Sequence, residues 1–119
     1  MTNIAQPKLY RLCSLGEWDA SQAAGVVLGN ADDRRDGFLH LSTAEQIAQT
    51  AAKYYTDVSN LHLLGINANS LTASLRWEVS RGGQSFPHVY GDVPLTAVLF
   101  ARAIPEQAGR YLFPAALFV

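Results

Sequence analysis

The sequence has little of what marks several common classes of protein. One cysteine, Cys13, stands among 119 residues, so no internal disulfide can form, which is typical of a reducing compartment. The formal net charge is −1, which excludes a broad basic surface for nucleic acid. No apolar run approaches the roughly 18 residues of a membrane span, and the N-terminal residues lack the pattern of a signal peptide. We therefore expect a cytoplasmic protein with no membrane partner and no extended nucleic-acid surface.

Familiar active-site motifs are missing as well. The chain has no glycine-rich phosphate loop, no nucleophile elbow and no dinucleotide fingerprint. The histidines at positions 40, 62 and 88 lack the close spacing of a local zinc motif, so we expect no metal and rank a metal-dependent hydrolase last. His62 lies in a run of leucines, which favours a core or sheet-face position. The composition, with 49% hydrophobic and 16% charged residues, predicts one folded domain over residues 1–119.

The order of the apolar patterns predicts an α+β fold. Ser14 with Glu17 forms a candidate capping box and Gly25 a candidate C-cap, so a first helix is expected between them. Residues 26–36 are rich in turn formers and are interpreted as a loop. The expected order is β-α-β-α-β-β-β, with two main helices and a curved or split sheet that is mixed or antiparallel. Strands are expected at residues 9–13, 37–42, 61–66 (a central strand buried on both faces), 75–79 and 95–101, and the second helix at residues 43–55.

A short strand that holds a histidine runs directly into a helix start, in the letters GFLHLSTAEQ. Either Ser42 with Glu45 or Thr43 with Gln46 completes a capping box there. Because the first N–H groups of a helix bind anions, Ser42 and Thr43 are candidate substrate-binding residues. His40, at the end of the strand, is a candidate catalytic residue. The alternative for His40 is a buried histidine bonded to backbone.

Residues 81–91 are interpreted as a long loop that holds glycines, a proline and aromatic rings around a histidine. Long loops of such content inside a small domain are more often functional than ornamental. His88, which follows the stiff Pro87, is therefore a candidate catalytic residue, and Tyr90 is a candidate ligand contact. The alternative is that the apolar residues of this segment plug the end of the sheet and leave His88 exposed.

Charged side chains on the predicted strands supply the remaining candidates. Glu78 alternates with Trp77, so a Trp77 packed in the core would turn Glu78 toward a cleft or solvent. Glu78 is accordingly a candidate catalytic residue, and a paired surface charge is the alternative. Arg11 is a candidate for binding an anion. It would do so in a clamp with Arg76 and Arg102, or these side chains equally line a solvated sheet face.

The C-terminal tail, residues 111–119, is too apolar to remain in water. Its four large apolar side chains are expected to pack on the domain or on a second copy of the chain. These side chains are Leu112, Phe113, Leu117 and Phe118.

These motifs together resemble a family of small bacterial proteins known as a domain of unknown function, whose pattern is DGFIHLS-T-x-EQ, W-E and F-P-H-x-Y-G. The corresponding residues here are 36–46, 77–78 and 86–91, with Leu39 in place of the usual isoleucine, and the likeness runs from about residue 9 to residue 100. That family in turn resembles, more distantly, the RNA 2′-phosphotransferase and ADP-ribosyltransferase superfamily. Arg11 stands where the phosphotransferases have histidine.

The resemblance implies a split, curved sheet with NAD in its cleft. It also implies that Arg11, His40 and Ser42 lie on the wall, with Glu78 or His88 in the third catalytic strand region. In that site, Arg11 and the helix start would hold a pyrophosphate, and His40 would bond a ribose or phosphate oxygen. Glu78 would stabilise an oxocarbenium-like ribose.

The expected function is therefore an ADP-ribosyltransferase-like domain that binds a nucleotide or another phosphorylated small molecule. NAD is a candidate substrate, Tyr90 would stack on or cap the ligand, and no cofactor is certain. The alternative is a non-catalytic binding or interaction domain that forms a homodimer through its apolar tail. A cleft that holds His40, His88 and Glu78 together would favour the enzyme, and scattered positions would favour the interaction domain.

Overall fold

The structure is a computed structural model that describes residues 7–119, apart from the side chain of Arg81. Short 3₁₀ turns at Ala68–Leu71, Arg81–Gly83, Leu95–Ala97 and Ala115–Phe118 connect its helices and strands. No helix within these residues is long and apolar enough to cross a membrane. In chain order the elements are β1 (Lys8–Ser14), α1 (Leu15–Ala24), α2 (Ala31–Asp36), β2 (Leu39–His40), α3 (Ala44–Tyr54), β3 (Leu61–Asn67), β4 (Leu75–Val79), β5 (Ser85–Val89), β6 (Val98–Ala103), β7 (Glu106–Gln107) and β8 (Arg110–Tyr111).

The strands form two three-stranded sheets, ordered β1-β3-β6 and β2-β5-β4, and the short pair β7-β8. The two larger sheets meet where Tyr10 and Ser42 exchange backbone N–H···O bonds of 2.8 and 2.9 Å. The expected α+β class and a divided sheet are confirmed. Of the two alternatives left open for the sheet, mixed or antiparallel, the structure has the antiparallel one, because every strand pair in the described residues is antiparallel.

Capping residues fix both of the expected helices. Ser14 Oγ accepts from the N–H of Glu17, whose carboxylate accepts from the N–H of Ser14, and the chain leaves α1 at Gly25 with φ 82°. At α3 the alternative left open by the sequence is settled, because Thr43 and Gln46 form the reciprocal capping box. Each box satisfies N–H groups that would otherwise lack a partner at the helix start.

The interpretation of residues 26–36 as a loop is wrong, because they contain α2. Asn30 caps this helix and accepts from the N–H of Asp33, while the Asp33 carboxylate accepts from the N–H of Asn30. Gly37 ends it with φ 84°. Asn, Asp and Gly favour turns and helix ends alike, so composition alone does not separate the two.

The interpretation of residues 81–91 as a loop is also wrong, because β5 is the central strand of its sheet. Proline is rare in a central strand because it cannot donate to a neighbour. Pro87 is tolerated because it lies opposite Leu41, just beyond the end of β2, where its carbonyl accepts from the N–H of Leu41 at 3.0 Å. Pro87 therefore lacks an N–H at the position where the pairing of β5 with β2 ends. The last long strand also begins later than expected, at Val98.

The core is split into two apolar clusters by the sheet β1-β3-β6. Leu64 and Ile66 of β3 belong to one cluster, and Leu61 and Leu63 belong to the other. This alternation confirms that residues 61–66 form a strand buried on both faces. His62 is partly exposed at the edge of this run, and its Nδ1 lies 2.9 Å from the carbonyl of Asn60.

The C-terminal tail packs on the second of these clusters. Leu117 is buried, and Phe113 and Phe118 pack against the cluster. The hydroxyl of Tyr10 also donates to the carbonyl of Phe118 at 3.0 Å. Leu112 is exposed, so the expectation that all four large apolar side chains are buried is wrong at that position.

Candidate functional site

A cavity of about 230 Å³ opens where the two larger sheets meet beside α3. Its wall takes residues from β1, α2, β5 and the start and end of α3. His40 and His88 both line it, as expected from the sequence, and Ser42 lines it as well. The ring centroids of His40 and His88 are 5.5 Å apart, and the planes of the two rings are inclined at 70°.

A cluster of aromatic rings supports the two histidines. Phe38 stacks on His88 with the ring centroids 4.0 Å apart, and it contacts His40 at 4.7 Å and Tyr90 at 5.1 Å. Phe38 therefore fixes the planes of both histidines from one side. Alternation along the strand predicts that Phe38 shares a face with His40, but not that it stacks on His88.

Asp33 is a buried carboxylate that braces the wall of the cavity. Its Oδ1 accepts from Arg11 Nη1 at 3.0 Å and from the backbone N–H of His40 at 3.0 Å. Its Oδ2 accepts from Arg11 Nη2 and from the N–H of Asn30. Burial alone would raise the pKa of Asp33, but the hydrogen bonds from His40 and Arg11, with the Arg11 charge, hold it well below its usual value.

The structure places Arg11 in the core, where its side chain is 2% exposed and paired with Asp33. The prediction that Arg11 lines the cleft and holds an anion is therefore wrong. Of the two alternatives for Arg11, Arg76 and Arg102, the clamp is not formed, because the three side chains lie apart. Arg76 lies over the ring of Tyr90 at 5.6 Å, and Arg102 donates to carbonyls of the C-terminal tail. Arg11 can lie on an apolar strand because Asp33 neutralises its charge inside the protein. The sequence of β1 alone does not show that this partner exists.

His40 is held by two carboxylates. Its Nδ1 lies 2.7 Å from Asp33 Oδ1, and its Nε2 lies 2.9 Å from Asp36 Oδ2. A carboxylate only accepts, so both contacts are hydrogen bonds only when both ring nitrogens carry protons. Arg35, through its hydrogen bonds to Asp36, is the main cause that lowers the pKa of the Asp36 carboxyl, and His40 adds to it. Both ring nitrogens of His40 thus face carboxylates of the protein.

His88 is held by one carboxylate. Its Nδ1 lies 2.7 Å from Glu78 Oε1, and the hydroxyl of Tyr90 donates to the same oxygen at 2.7 Å. The bonds from His88 and then Tyr90 lower the pKa of Glu78, and the bond to Glu78 raises the pKa of Tyr90. When Nδ1 donates to Glu78, the neutral ring keeps its lone pair on Nε2. Such a ring can take a proton from a ligand in the cavity.

Glu78 and Tyr90 lie behind His88, outside the cavity wall. The premise that Trp77 packs in the core is wrong, because Trp77 is 52% exposed. Glu78 nevertheless reaches the site by a different route, because its strand β4 pairs with β5 and places it near His88. Its contact with the site therefore runs through His88.

At the start of α3, the backbone N–H groups of Ser42 and Thr43 are bonded within the protein. The N–H of Ser42 donates to Tyr10, and its hydroxyl lies 3.2 Å from that of Thr50. The N–H groups of Thr43 and Gln46 are taken by the capping box. The N–H groups of Ser42 and Thr43 are therefore not free for an anion, and a role of these two residues in substrate binding stays a prediction.

Several residues that line the cavity lie in α2 or at its N-cap, and sequence reasoning missed this helix. Asn30, Asp32, Arg35 and Asp36 all line the cavity. The capping pair of Asn30 with Asp33, followed by Gly37, was the signal that could have revealed the helix. Among residues 7–119 no group of three or more His, Cys, Asp and Glu side chains is placed to hold a metal ion.

Comparison with known proteins gives a family for this arrangement. A crystal structure of protein CC0527 from Caulobacter crescentus is similar, with 39% identity, a TM-score of 0.87, and coverage of 93% of this chain and 98% of that chain. A solution NMR structure of CC0527 has 40% identity, a TM-score of 0.75, and coverage of 87% of this chain and 90% of that chain. No match is found among the curated proteins. A family model described as protein of unknown function (DUF952) matches residues 12–101, and the chain belongs to that family.

Proposed function

We propose that the cavity binds a nucleotide or another phosphorylated small molecule and that the chain is an ADP-ribosyltransferase-like domain. The observation that supports this most is His88, which lines the cavity while Glu78 fixes its Nδ1. The ring is thereby positioned to meet a hydroxyl or phosphoryl oxygen with Nε2. The divided sheet with a cavity at its junction also agrees with the fold that the resemblance implies.

The positive group that would meet a phosphate is Arg35, since Arg11 is buried. The side chain of Arg35 is 67% exposed and donates to Asp36 at 2.8 Å and to Asp32 at 3.1 Å. Exposed ion pairs of this kind are weak, so a phosphate can compete for the guanidinium. The carboxylates then released can accept from ribose hydroxyl groups.

The size of the cavity limits what it encloses. At about 230 Å³ it is smaller than the roughly 300–1,000 Å³ of most small-molecule sites. We therefore place one ring of the ligand, a ribose or a base, inside it, and the phosphates outside near Arg35. If NAD is the substrate, the cavity would enclose one ring from one of its two nucleotide halves.

As an enzyme, the site would use His88 for proton transfer. His88 Nε2 would accept a proton from a ligand hydroxyl, and Glu78 would position the ring through Nδ1 and stabilise the imidazolium. Direct contact of Glu78 with an oxocarbenium-like ribose is not supported, because Glu78 lies behind His88. His40, with both nitrogens bonded to carboxylates, would position α2 against the ligand.

Calorimetry with ADP-ribose, NAD, ADP and adenosine tests the binding proposal. We expect the phosphorylated ligands to bind more tightly than adenosine. Arg35→Gln should weaken ADP at least about tenfold, which is the loss of one charge-assisted bond, and leave adenosine unchanged. Arg34→Gln is the matched control, because Arg34 lies outside this cavity and donates to the carbonyl of Gly29. No heat from any of the four at millimolar concentration would contradict the proposal.

We also propose that the protein is cytoplasmic, because its single cysteine forms no internal disulfide, as is typical of a reducing compartment. Cys13 is buried, and burial raises the pKa of its thiol to about 12. A thiol of this kind reacts slowly and packs as a small apolar side chain. The alkylation rate of the folded protein tests whether the Cys13 thiol reacts slowly, and rapid modification would contradict its burial.

A further inference from the structure

The outer edge of the second sheet carries apolar side chains in water. Within residues 7–119, β4 has β5 as its one strand neighbour. Trp77 and Val79 on this strand are 52% and 72% exposed. An exposed edge strand with large apolar side chains is a template for pairing with another strand.

The backbone groups that face away from β5 can be assigned from the neighbouring bonds. The N–H of Tyr90 donates to the carbonyl of Ser74 at 2.9 Å, and the N–H of Ser80 donates to the carbonyl of Gln84 at 2.8 Å. Ser74 and Ser80 therefore face β5, and the alternate residues between them do so as well. The N–H and C=O groups of residues 75, 77 and 79 consequently face the open edge.

The sequence of β4, Leu-Arg-Trp-Glu-Val, complements itself when a second copy runs antiparallel to it. With Trp77 opposite Trp77 of the second copy, Leu75 lies opposite Val79 and Arg76 lies opposite Glu78. We propose that two copies of this chain pair through β4 in this register, which joins their three-stranded sheets into one. The outward-facing residues then form the hydrogen-bonded pairs, and Arg76 and Glu78 form the closer pairs between them.

Charge specifies the register. A slip of one residue along the strand would place outward-facing groups opposite groups that are already bonded to β5. A slip that keeps the hydrogen bonds moves the centre of pairing to Arg76 or to Glu78. Arg76 would then lie opposite Arg76 of the second copy, or Glu78 opposite Glu78 of the second copy. Like charges directly opposite are destabilising, so these slips are disfavoured.

The pairing also reaches the candidate site. Arg76 of the second copy would lie beside Glu78, the carboxylate that holds His88. The second copy would thus add a positive charge behind His88 and help to keep Glu78 ionised. The C-terminal tail is not needed for this dimer, since Leu117 and Phe118 pack on their own chain.

Sedimentation equilibrium of the full chain, from about 1 µM to about 1 mM, tests the proposal. We expect the mass to rise from 12.9 kDa toward twice that value. Arg76→Glu should weaken the dimer at least tenfold, because the introduced carboxylate would lie opposite Glu78 of the second copy. Val79→Pro should do the same, since it removes an outward N–H that no neighbouring strand uses. Leu99→Lys, at an exposed apolar position on β6, is the matched control and should leave the mass unchanged.

A mixture of two variants tests the register itself. Arg76→Glu and Glu78→Arg should each be monomeric, yet together they should form a one-to-one heterodimer, because both charge pairs are restored across the edge. Thermal unfolding of each variant establishes that it is folded, and Val79→Pro replaces Glu78→Arg as the probe of the edge if the latter does not fold. A wild-type chain that stays monomeric at 1 mM, a dimer that survives Val79→Pro, or folded charge variants that do not associate would overturn the proposal.

Discussion

Two histidine–carboxylate pairs meet in one cavity, and they differ in where the carboxylate lies. Asp33, the partner of His40, is 3% exposed and also paired with Arg11. Glu78, the partner of His88, is 38% exposed and also bonded to Tyr90. His40 gives both ring nitrogens to carboxylates, whereas His88 gives one nitrogen to Glu78. The first pair holds the wall together, and the second presents a ring to the cavity.

The same pair of residue types thus serves two purposes, and burial of the carboxylate decides which. A buried carboxylate must be neutralised and fully bonded, so its histidine becomes part of a fixed network. A carboxylate at a strand edge remains partly solvated, so its contact with the histidine contributes less to the stability of the wall. Stability should therefore depend on Asp33, and ligand chemistry on His88.

The largest effect is expected from Asp33→Asn. The variant leaves the Arg11 guanidinium buried without its counter-charge, so the free energy of unfolding should fall by about 3–5 kcal/mol. Urea denaturation measures this fall. Asp32→Asn, one residue away and half exposed, should change it by no more than about 0.5 kcal/mol. Equal effects of the two variants would break the distinction.

A second effect concerns acid. The pKa of Asp33 is lowered in the folded protein, so its contribution to stability is complete above the unfolded value of about 3.9. That contribution is lost as the pH falls from there toward the lower folded value. Urea midpoints measured between about pH 2 and pH 6 should therefore drop steeply for the wild type and less steeply for Asp33→Asn. Parallel curves would mean that Asp33 is not the dominant acid-sensitive group.

The smallest effect on stability is expected from Glu78→Gln. Its bonds are made at a solvated edge, and an amide oxygen can still accept from Tyr90 or His88. The urea midpoint should stay close to that of the matched variant Glu106→Gln, at an exposed position on β7. A loss of stability as large as that of Asp33→Asn would show that both pairs are structural.

Sequence patterns located much of this molecule for identifiable physical reasons. Caps at Ser14 and Thr43 act locally, so the start of each main helix could be predicted. The helix α2 was missed because its capping residues are also turn residues. Pro87 hid a central strand, since its place at the end of a ladder depends on the length of a distant strand. Such information lies in tertiary contacts.

The candidate site was predicted in part for the same reasons. His40 and His88 were expected in one cavity because both lie at chain positions that open toward ligands, and they do share it. Arg11 was misassigned because its partner Asp33 lies in the helix that was missed. The contact between Glu78 and His88 depends on strand register, which no local pattern supplies.

NMR of the ring nitrogens of all three histidines, with ADP-ribose added stepwise, tests whether His88 is the ring that meets the ligand. We expect neutral His88 to carry its proton on Nδ1, its Nε2 resonance to move with ligand, and Glu78→Gln to alter both features. His62, at the far side of β3 from this cavity wall, is the internal control and should not move. A proton on His88 Nε2, or a ligand response at His40 without one at His88, would contradict the account.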